Sequence, residues 1–377
     1  MSACLWPSPT AKIASAGRRR GCPVVAEPLD TQSLDAAGPA PPISEADRSP
    51  ARAPFDDLAS DWRLRHLLDV DTLSRDEILR ILSTANAMAE VLERPVARTP
   101  ALRGVTVFNL FYEASTRTRS SFELAGKILG ADVINVSGSG SSVEKGESLV
   151  ETLNTLAAVG ADAVVMRHPA SGAPWLAART IGGHIINAGD GQHAHPTQAL
   201  LDAYILLREF GDLGGRRIVI VGDILHSRVA RSNIWSLTKL GAEVTVVAPR
   251  PLLPVSMTAG AAEKEHPLSL PNVRVESDLD EAIVGADAVM ALRIQGERLS
   301  GKLLPSSAEY ARRYQLTAER VAQAAPHAIV MHPGPMNEGV EIAVDVAHSP
   351  ESRIEAQVSA GLAVRMAVLF LLIRGGA

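Results

Sequence analysis

The residues best suited to chemistry lie between Ser115 and Arg119. There Ser115-Thr116-Arg117-Thr118-Arg119 interleaves three hydroxyls with two guanidinium groups, after an apolar run that ends at Phe111. Hydroxyls and free backbone N–H groups at a helix start form an anion site that the helix dipole reinforces. Arg117 can add a bidentate contact to phosphate oxygens. Ordinary capping would explain one hydroxyl, and a solvated face would explain the arginines. Neither explains the interleaving, so phosphate is the expected ligand.

A second cluster is His195-Pro196-Thr197-Gln198, which opens a long helical pattern with Pro at an allowed first-turn position. His195 and Gln198 are three apart and share a face. Simple capping is the bland alternative for His195. His193 and His195 form an HxH pair, but no third ligand is near, so no metal site is expected. In the second half of the chain, Gly222-Asp223-Ile224-Leu225-His226-Ser227-Arg228 and Arg293-Ile294-Gln295 each follow an apolar run. Singly these arginines are unremarkable. As a pair at strand ends, two guanidinium groups suit a dicarboxylate. The segment Gly138 to Lys145 invites a dinucleotide reading, which fails because Val143 stands where a third glycine is needed. It is no P-loop either, so a nucleotide-dependent dehydrogenase is not expected.

Composition bounds these readings. The 377 residues suggest two domains, and 46% hydrophobic with 21% charged residues permits a sizeable core. A net charge of -5 argues against nucleic-acid binding, though not against a small anion held by local cations. The only cysteines, Cys4 and Cys22, leave the rest of the chain without disulfide, zinc or thiol chemistry, which suits a cytoplasmic setting. The apolar stretch Val358 to Ile373 is interrupted by Gly361 and Arg365 and reads as a buried amphipathic helix rather than a membrane span.

The positioning elements follow from periodicity. Residues up to about Ser60 lack a hydrophobic period and read as disordered. Lys12 and Arg18-Arg19-Arg20 allow a transit peptide, against which Pro7, Pro9 and the acidic continuation favour a floppy extension or an early start site. Order is expected from near Trp62. Ser74 and Glu77 predict a capping box for a helix to Glu93. Strands are predicted at 105–111, 132–136, 163–166, 184–187, 217–221, 243–247, 273–276, 288–292 and 328–331. Helices are predicted over 118–129, 148–159, 196–210 and 227–240. Apolar strands alternating with helices imply α/β architecture, with two doubly wound domains that each have a central parallel sheet. Every polar cluster above falls just after a predicted strand, where such sheets bind ligands.

Phe111 to Glu123 resembles the carbamoyl-phosphate signature of the aspartate/ornithine carbamoyltransferase family. The likeness continues through Ser141 to Glu147, Met166 to Pro169, His195 to Gln198 and His332 to Pro335, and covers essentially all of 62–374. The resemblance implies a carbamoyl-phosphate-binding domain over 61–205, an aspartate-binding domain over 206–350, and a C-terminal helix, 352–374, packing back on the first. It implies a homotrimer with shared active sites, to which Ser141 and Lys145 contribute across the interface, and it allows a regulatory chain or a dihydroorotase as partner. No cofactor, nucleic acid or membrane is implied.

On the same basis Ser115, Thr116, Arg117, Ser141 and Lys145 would take the phosphate, and Thr118, Arg167 and His195 the carbonyl oxygen. The Gln198 amide oxygen and the Gly334-Pro335 turn would take the carbamoyl NH2. Arg228, Arg293, Gln295 and Lys145 would hold aspartate. Arg117, Thr118, Lys145, Arg167 and His195 would carry catalysis, in the committed step of pyrimidine synthesis. Ornithine-specific members carry a cysteine in the turn that here reads Gly334-Pro335, and paired arginines call for an acid rather than a diamine. Two departures stand out. Glu338 lies where relatives often have Arg, and the helix after Lys145 reads Val150-Glu151-Thr152-Leu153 where an Asp-Thr pair is usual. The first is expected to weaken local electrostatics and the second to alter trimer contacts.

Overall fold

The computed structural model describes residues 56–137, 147–258, 270–271, 273–294 and 306–375. The extension expected over 1–60 lies outside these up to residue 55. Its expected end needs correction, because α1 (Asp56–Ala59) is already helical and Ala59 and Trp62 are buried in the main core. Arg80 fixes this segment by donating from Nη2 to the Leu58 carbonyl at 2.8 Å.

Helix α2 (Arg75–Leu92) starts at the expected capping box, with Ser74 and Glu77 bonded reciprocally. The first sheet comprises β1 (Thr106–Phe111), β2 (Asp132–Ser137), β3 (Ala163–His168) and β4 (His184–Asp190), all parallel, in the order β2-β1-β3-β4. Its connecting helices are α3 (Thr116–Ile128), α4 (Leu149–Ala158) and α5 (Ala173–Thr180). Helix α5 escapes periodicity because it is one short segment whose N-cap is Gly172 in a left-handed conformation, with no polar capping side chain. Helix α4 opens on a second capping box formed by Ser148 and Glu151. The departure at Glu151 therefore has a local reason within this chain, since its carboxylate accepts from the Ser148 backbone N–H at 2.8 Å.

Helix α6 (Pro196–Phe210) leads to a second parallel sheet of β5 (Arg217–Val221), β6 (Glu243–Val247), β7 (Arg274–Glu276), β8 (Ala288–Ala291) and β9 (Ile329–Met331), in the order β7-β6-β5-β8-β9. Helix α7 (Arg228–Lys239) follows β5 and packs against α6. The expected α/β architecture with two parallel sheets is thus present. In each sheet the winding direction reverses at one pair, β1/β3 in the first and β5/β8 in the second, and a ligand crevice belongs outside such a pair.

The C-terminal helix Ile354–Gly375 returns to pack on α2, α3 and α6. It is not the amphipathic helix expected. Its first two turns keep an exposed side and Arg374 is exposed near its end, but from Ala360 to Leu372 nearly every residue is buried. At 22 residues it is long and apolar enough to cross a membrane, but here the apolar surface is matched by four helices, α1 included, and a sheet. Phe370 is fully buried and Val358 is 57% exposed on the same helix. Phe370→Ala should therefore lower the unfolding free energy by about 3–5 kcal/mol, whereas Val358→Ala should change it by less than about 0.5 kcal/mol. Denaturant midpoints read both, and equal shifts would mean that the helix is not the core element its burial implies.

Candidate active site

The chain after β1 turns at Glu113 and enters α3 through Ser115, which takes the N-cap position with extended backbone. The Ser115 side chain makes no capping hydrogen bond. Capping therefore does not account for this serine, and its hydroxyl faces a cleft of about 1000 Å³. The helix begins at Thr116, earlier than the expected 118, so Thr116, Arg117 and Thr118 all sit in its first turn. Their N–H groups are among those a helix leaves without internal partners. Ser115, Thr116, Arg117 and Thr118 line the cleft, whereas Arg119 is exposed outside it. For Arg119 alone, the solvated-face alternative holds.

Arg117 lies against the Gly334-Pro335 turn that follows β9. Gly334 has φ +64°, and a Cβ there would run into the Arg117 guanidinium. Glycine thus satisfies both the backbone conformation and the close approach. Burial lowers the pKa of Arg117 from its ordinary value.

Arg167 stands at the end of β3, where a bulge between Met166 and His168 shifts the pairing with β4. Such a bulge re-aims a side chain at a strand end. Arg167 donates from Nη1 to the Ala188 carbonyl at 3.3 Å, and its Nε lies 3.3 Å from Glu113 Oε2. The same Oε2 accepts from Arg228 Nη2 at 2.9 Å. Arg228, the first residue of α7, is 7% exposed and also donates to the Gly191 carbonyl at 3.1 Å. Glu113 therefore joins the two arginines from opposite lobes, and among the described residues it is the only acid that lines the cleft. Sequence reading passed over it, although it lies inside the quoted motif.

His195 and Gln198 line the cleft from the start of α6. The His195 backbone N–H donates to Ser232 Oγ on α7 at 2.9 Å, while its buried Nδ1 has no hydrogen-bond partner. Desolvation, and then Arg167, Arg228 and Arg365, hold its pKa well below the ordinary histidine range. A neutral imidazole can donate one N–H to a carbonyl oxygen without adding another cation. Among the described residues no group of three or more His, Cys, Asp or Glu could hold a metal ion. His193 instead sits between Asp190, 3.1 Å away, and Asp69, 3.4 Å away.

Gln198 donates from Nε2 to Asp202 Oδ1 at 3.0 Å, which leaves its amide oxygen as the free end. The i, i+4 spacing from Gln198 to Asp202 was the available sequence signal for this partner. Arg293 and Arg228 line the second lobe's side of the cleft. Arg365, noted in the sequence only as an interruption, lines its floor; it is 5% exposed, and burial pushes its pKa down to about 10. Ser121 Oγ accepts from its Nη1 at 2.8 Å. Glu338 does not line the cleft; its Oε1 lies 3.6 Å from His348 Nε2. Of the sequence-predicted residues, Ser115, Thr116, Arg117, Thr118, Arg167, His195, Gln198, Arg228, Arg293, Gly334 and Pro335 meet in this one cleft. Ser141, Lys145 and Gln295 lie outside the described residues.

Two family models match the chain. Residues 65–208 match the aspartate/ornithine carbamoyltransferase carbamoyl-P binding domain, and residues 214–372 match the Asp/Orn binding domain of the same family. Proteins named aspartate carbamoyltransferase catalytic subunit, from Roseiflexus sp. (strain RS-1) and Acidothermus cellulolyticus, are each 56% identical. The first aligns over 82% of this chain and 95% of its own length, the second over 83% and 94%. A crystal structure of aspartate transcarbamoylase from Trypanosoma cruzi, in complex with carbamoyl phosphate and aspartate, superposes with a TM-score of 0.73 at 29% identity. That match covers 83% of this chain and 98% of the other.

The depressed pKa of His195 makes a stability prediction. Above the unfolded value of about 6.5 the imidazole is neutral in both states and contributes nothing. Below it the unfolded chain binds a proton that the folded one refuses, so stability falls with falling pH, by up to about 1.4 kcal/mol per unit. The unfolding free energy of wild type minus that of His195→Asn should be flat from pH 7 to 8 and decrease below 6.5. A difference independent of pH would show that His195 ionises alike in both states.

Proposed function

The chain belongs to the aspartate/ornithine carbamoyltransferase family, and we propose on that premise that it transfers the carbamoyl group of carbamoyl phosphate to the amino group of L-aspartate. The products are N-carbamoyl-L-aspartate and phosphate. The observation that carries this reading is the arrangement of charge across the cleft. A helix N-terminus with Ser115, Thr116 and Arg117 stands on one lobe, and Arg228 with Arg293 stands on the other.

Two anions brought side by side repel one another, and five guanidinium groups along the lining, Arg117, Arg167, Arg228, Arg293 and Arg365, offset that repulsion. They also disfavour a diamine acceptor such as ornithine. The phosphate sits on Ser115, Thr116 and Arg117, with Ser141 and Lys145 added by a neighbouring chain. Thr118, Arg167 and His195 donate to the carbonyl oxygen, whose charge grows as the aspartate amine attacks. The Gln198 oxygen and the Gly334-Pro335 turn accept from the carbamoyl NH2 and orient it. Aspartate is held by Arg228 and Arg293, with Gln295 and Lys145. The reaction then needs positioning, worth on the order of 7–11 kcal/mol, and oxyanion stabilisation, worth about 3–4 kcal/mol per donor. It needs no protein nucleophile, and the leaving phosphate takes up the amine proton.

The site is completed in a homotrimer. Strand β2 lies at the edge of its sheet with Ile134 45% exposed, and Leu124 at the cleft rim is 48% exposed. An apolar edge of this kind fits coverage by a second copy. The product feeds pyrimidine synthesis in the cytoplasm, and a regulatory chain or dihydroorotase is compatible with this assembly.

Arg117→Ala should lower kcat/KM for carbamoyl-aspartate formation by at least about 10²-fold, with ornithine and putrescine inert as acceptors of the wild type. Turnover of ornithine in preference to aspartate would overturn the acceptor assignment. Mixing inactive Lys145→Ala chains with inactive Arg117→Ala chains, under conditions where subunits exchange, should restore activity. Exchange without rescue would sink the shared site.

A further inference from the structure

A carboxylate that does not line the cleft organises part of it. Asp202 is fully buried on α6, one turn beyond Gln198, and accepts from three side-chain amides. Its Oδ1 accepts from Gln198 Nε2 at 3.0 Å and from Gln357 Nε2 at 2.7 Å, while Oδ2 accepts from Asn233 Nδ2 at 2.8 Å. These amides come from α6, the C-terminal helix and α7. A carboxylate can only accept, so it dictates which end of each amide turns inward. Gln198 must present its oxygen to the cleft. Gln357 must present its oxygen to the His332 backbone N–H, which donates to it at 2.9 Å. His332 Nδ1 in turn accepts from the Gly334 N–H at 2.8 Å. Both groups assigned to the carbamoyl NH2, the Gln198 oxygen and the Gly334-Pro335 turn, thus trace back to the same oxygen atom.

We propose that Asp202 is a positioning residue for carbamoyl phosphate, acting through Oδ1 as the shared acceptor that sets the hydrogen-bonding sense of Gln198 and of the Gly334-Pro335 turn. The proposal rests on the functional reading above. The two oxygens of Asp202 have unequal roles, because Oδ2 serves only Asn233, whose Nδ2 also donates to the Val229 carbonyl at 3.1 Å.

That inequality gives a test. In Asp202→Asn the amide oxygen can stay at the Oδ1 position while its NH2 faces Asn233, which turns its partnerless oxygen to accept from it and gives up the Val229 bond, a loss remote from Gln198 and Gln357. The change should raise KM for carbamoyl phosphate by less than about threefold. Asp202→Ala removes the shared acceptor and should raise that KM by about tenfold or more, the equivalent of one lost hydrogen bond of about 1.4 kcal/mol. The KM for aspartate at saturating carbamoyl phosphate should hardly move. In a Gln198→Ala background the further effect of Asp202→Ala should shrink.

Equal losses in Asn and Ala variants would assign the role to charge and overturn the proposal. So would undiminished effects in the Gln198→Ala background, or a lower melting temperature with unchanged KM. Should the wild type make no carbamoyl aspartate, the functional reading falls, and crystal structures of wild type and Asp202→Ala still decide the positioning claim. Gln198 and Gln357 must be seen rotated in the variant, and unmoved amides refute it.

Discussion

Concentrated positive charge in a partly dry cleft is the constraint on which the rest of this structure depends. At 4 Å two like charges near a protein surface repel by about 4 kcal/mol. Five arginines along one lining are therefore tenable only with compensation. Glu113 supplies it between the lobes through one carboxylate oxygen that touches Arg167 and Arg228. Asp202 supplies it beneath, where its field helps keep Arg365 charged. The positive charge that lines the crevice is complementary to a phosphate ester and a dicarboxylic acid. Burial, and after it the same field, keeps His195 neutral, so the cleft has a hydrogen-bond donor at its centre rather than a further cation.

The scaffold makes this arrangement possible by aligning two sheets at their reversal points. Arg167 and the Ser115 turn come from the β1/β3 pair, and Arg228 and Arg293 follow β5 and β8. The lobes meet through polar contacts as well as packing. Ser232 on α7 receives the His195 backbone N–H, and Asn233 reaches Asp202 on α6. A buried polar network that is satisfied on most sides specifies one arrangement of helices, because any slip leaves a donor without a partner. At Gly189, with φ +118°, a Cβ would lie 3.0 Å from Arg228 Cζ. The absence of a side chain there lets a guanidinium of the second lobe lie flat against the backbone of the first.

Much of this was legible in the residue pattern. Continuous apolar strands and capped helices gave both parallel sheets, and the hydroxyl-arginine run located the helix start that faces the cleft. What escaped did so for physical reasons. Glu113 acts through contacts on β3 and α7, which no local period reveals. Asp202 looks like an ordinary polar residue on a helix until three distant amides are seen to converge on it. Arg365 reads as a break in an apolar segment because its partner, Ser121, is far away in sequence. Helix α5 lacked a polar cap, and the C-terminal helix, expected as buried, lacked the polar face also expected of it. The periodicity rules assume one side in water, and that condition fails there.

The position of that last helix has a consequence for how the molecule is made. Its partners α2, α3 and α6 all precede the second sheet in the chain, yet the helix itself is translated after that sheet is complete. The first lobe therefore leaves the ribosome with a groove of bare apolar side chains along α2 and α6, and this groove stays open while about 150 further residues are synthesised. The lobe that emerges first is thus the one that finishes last, and during that interval it is a natural client for chaperones.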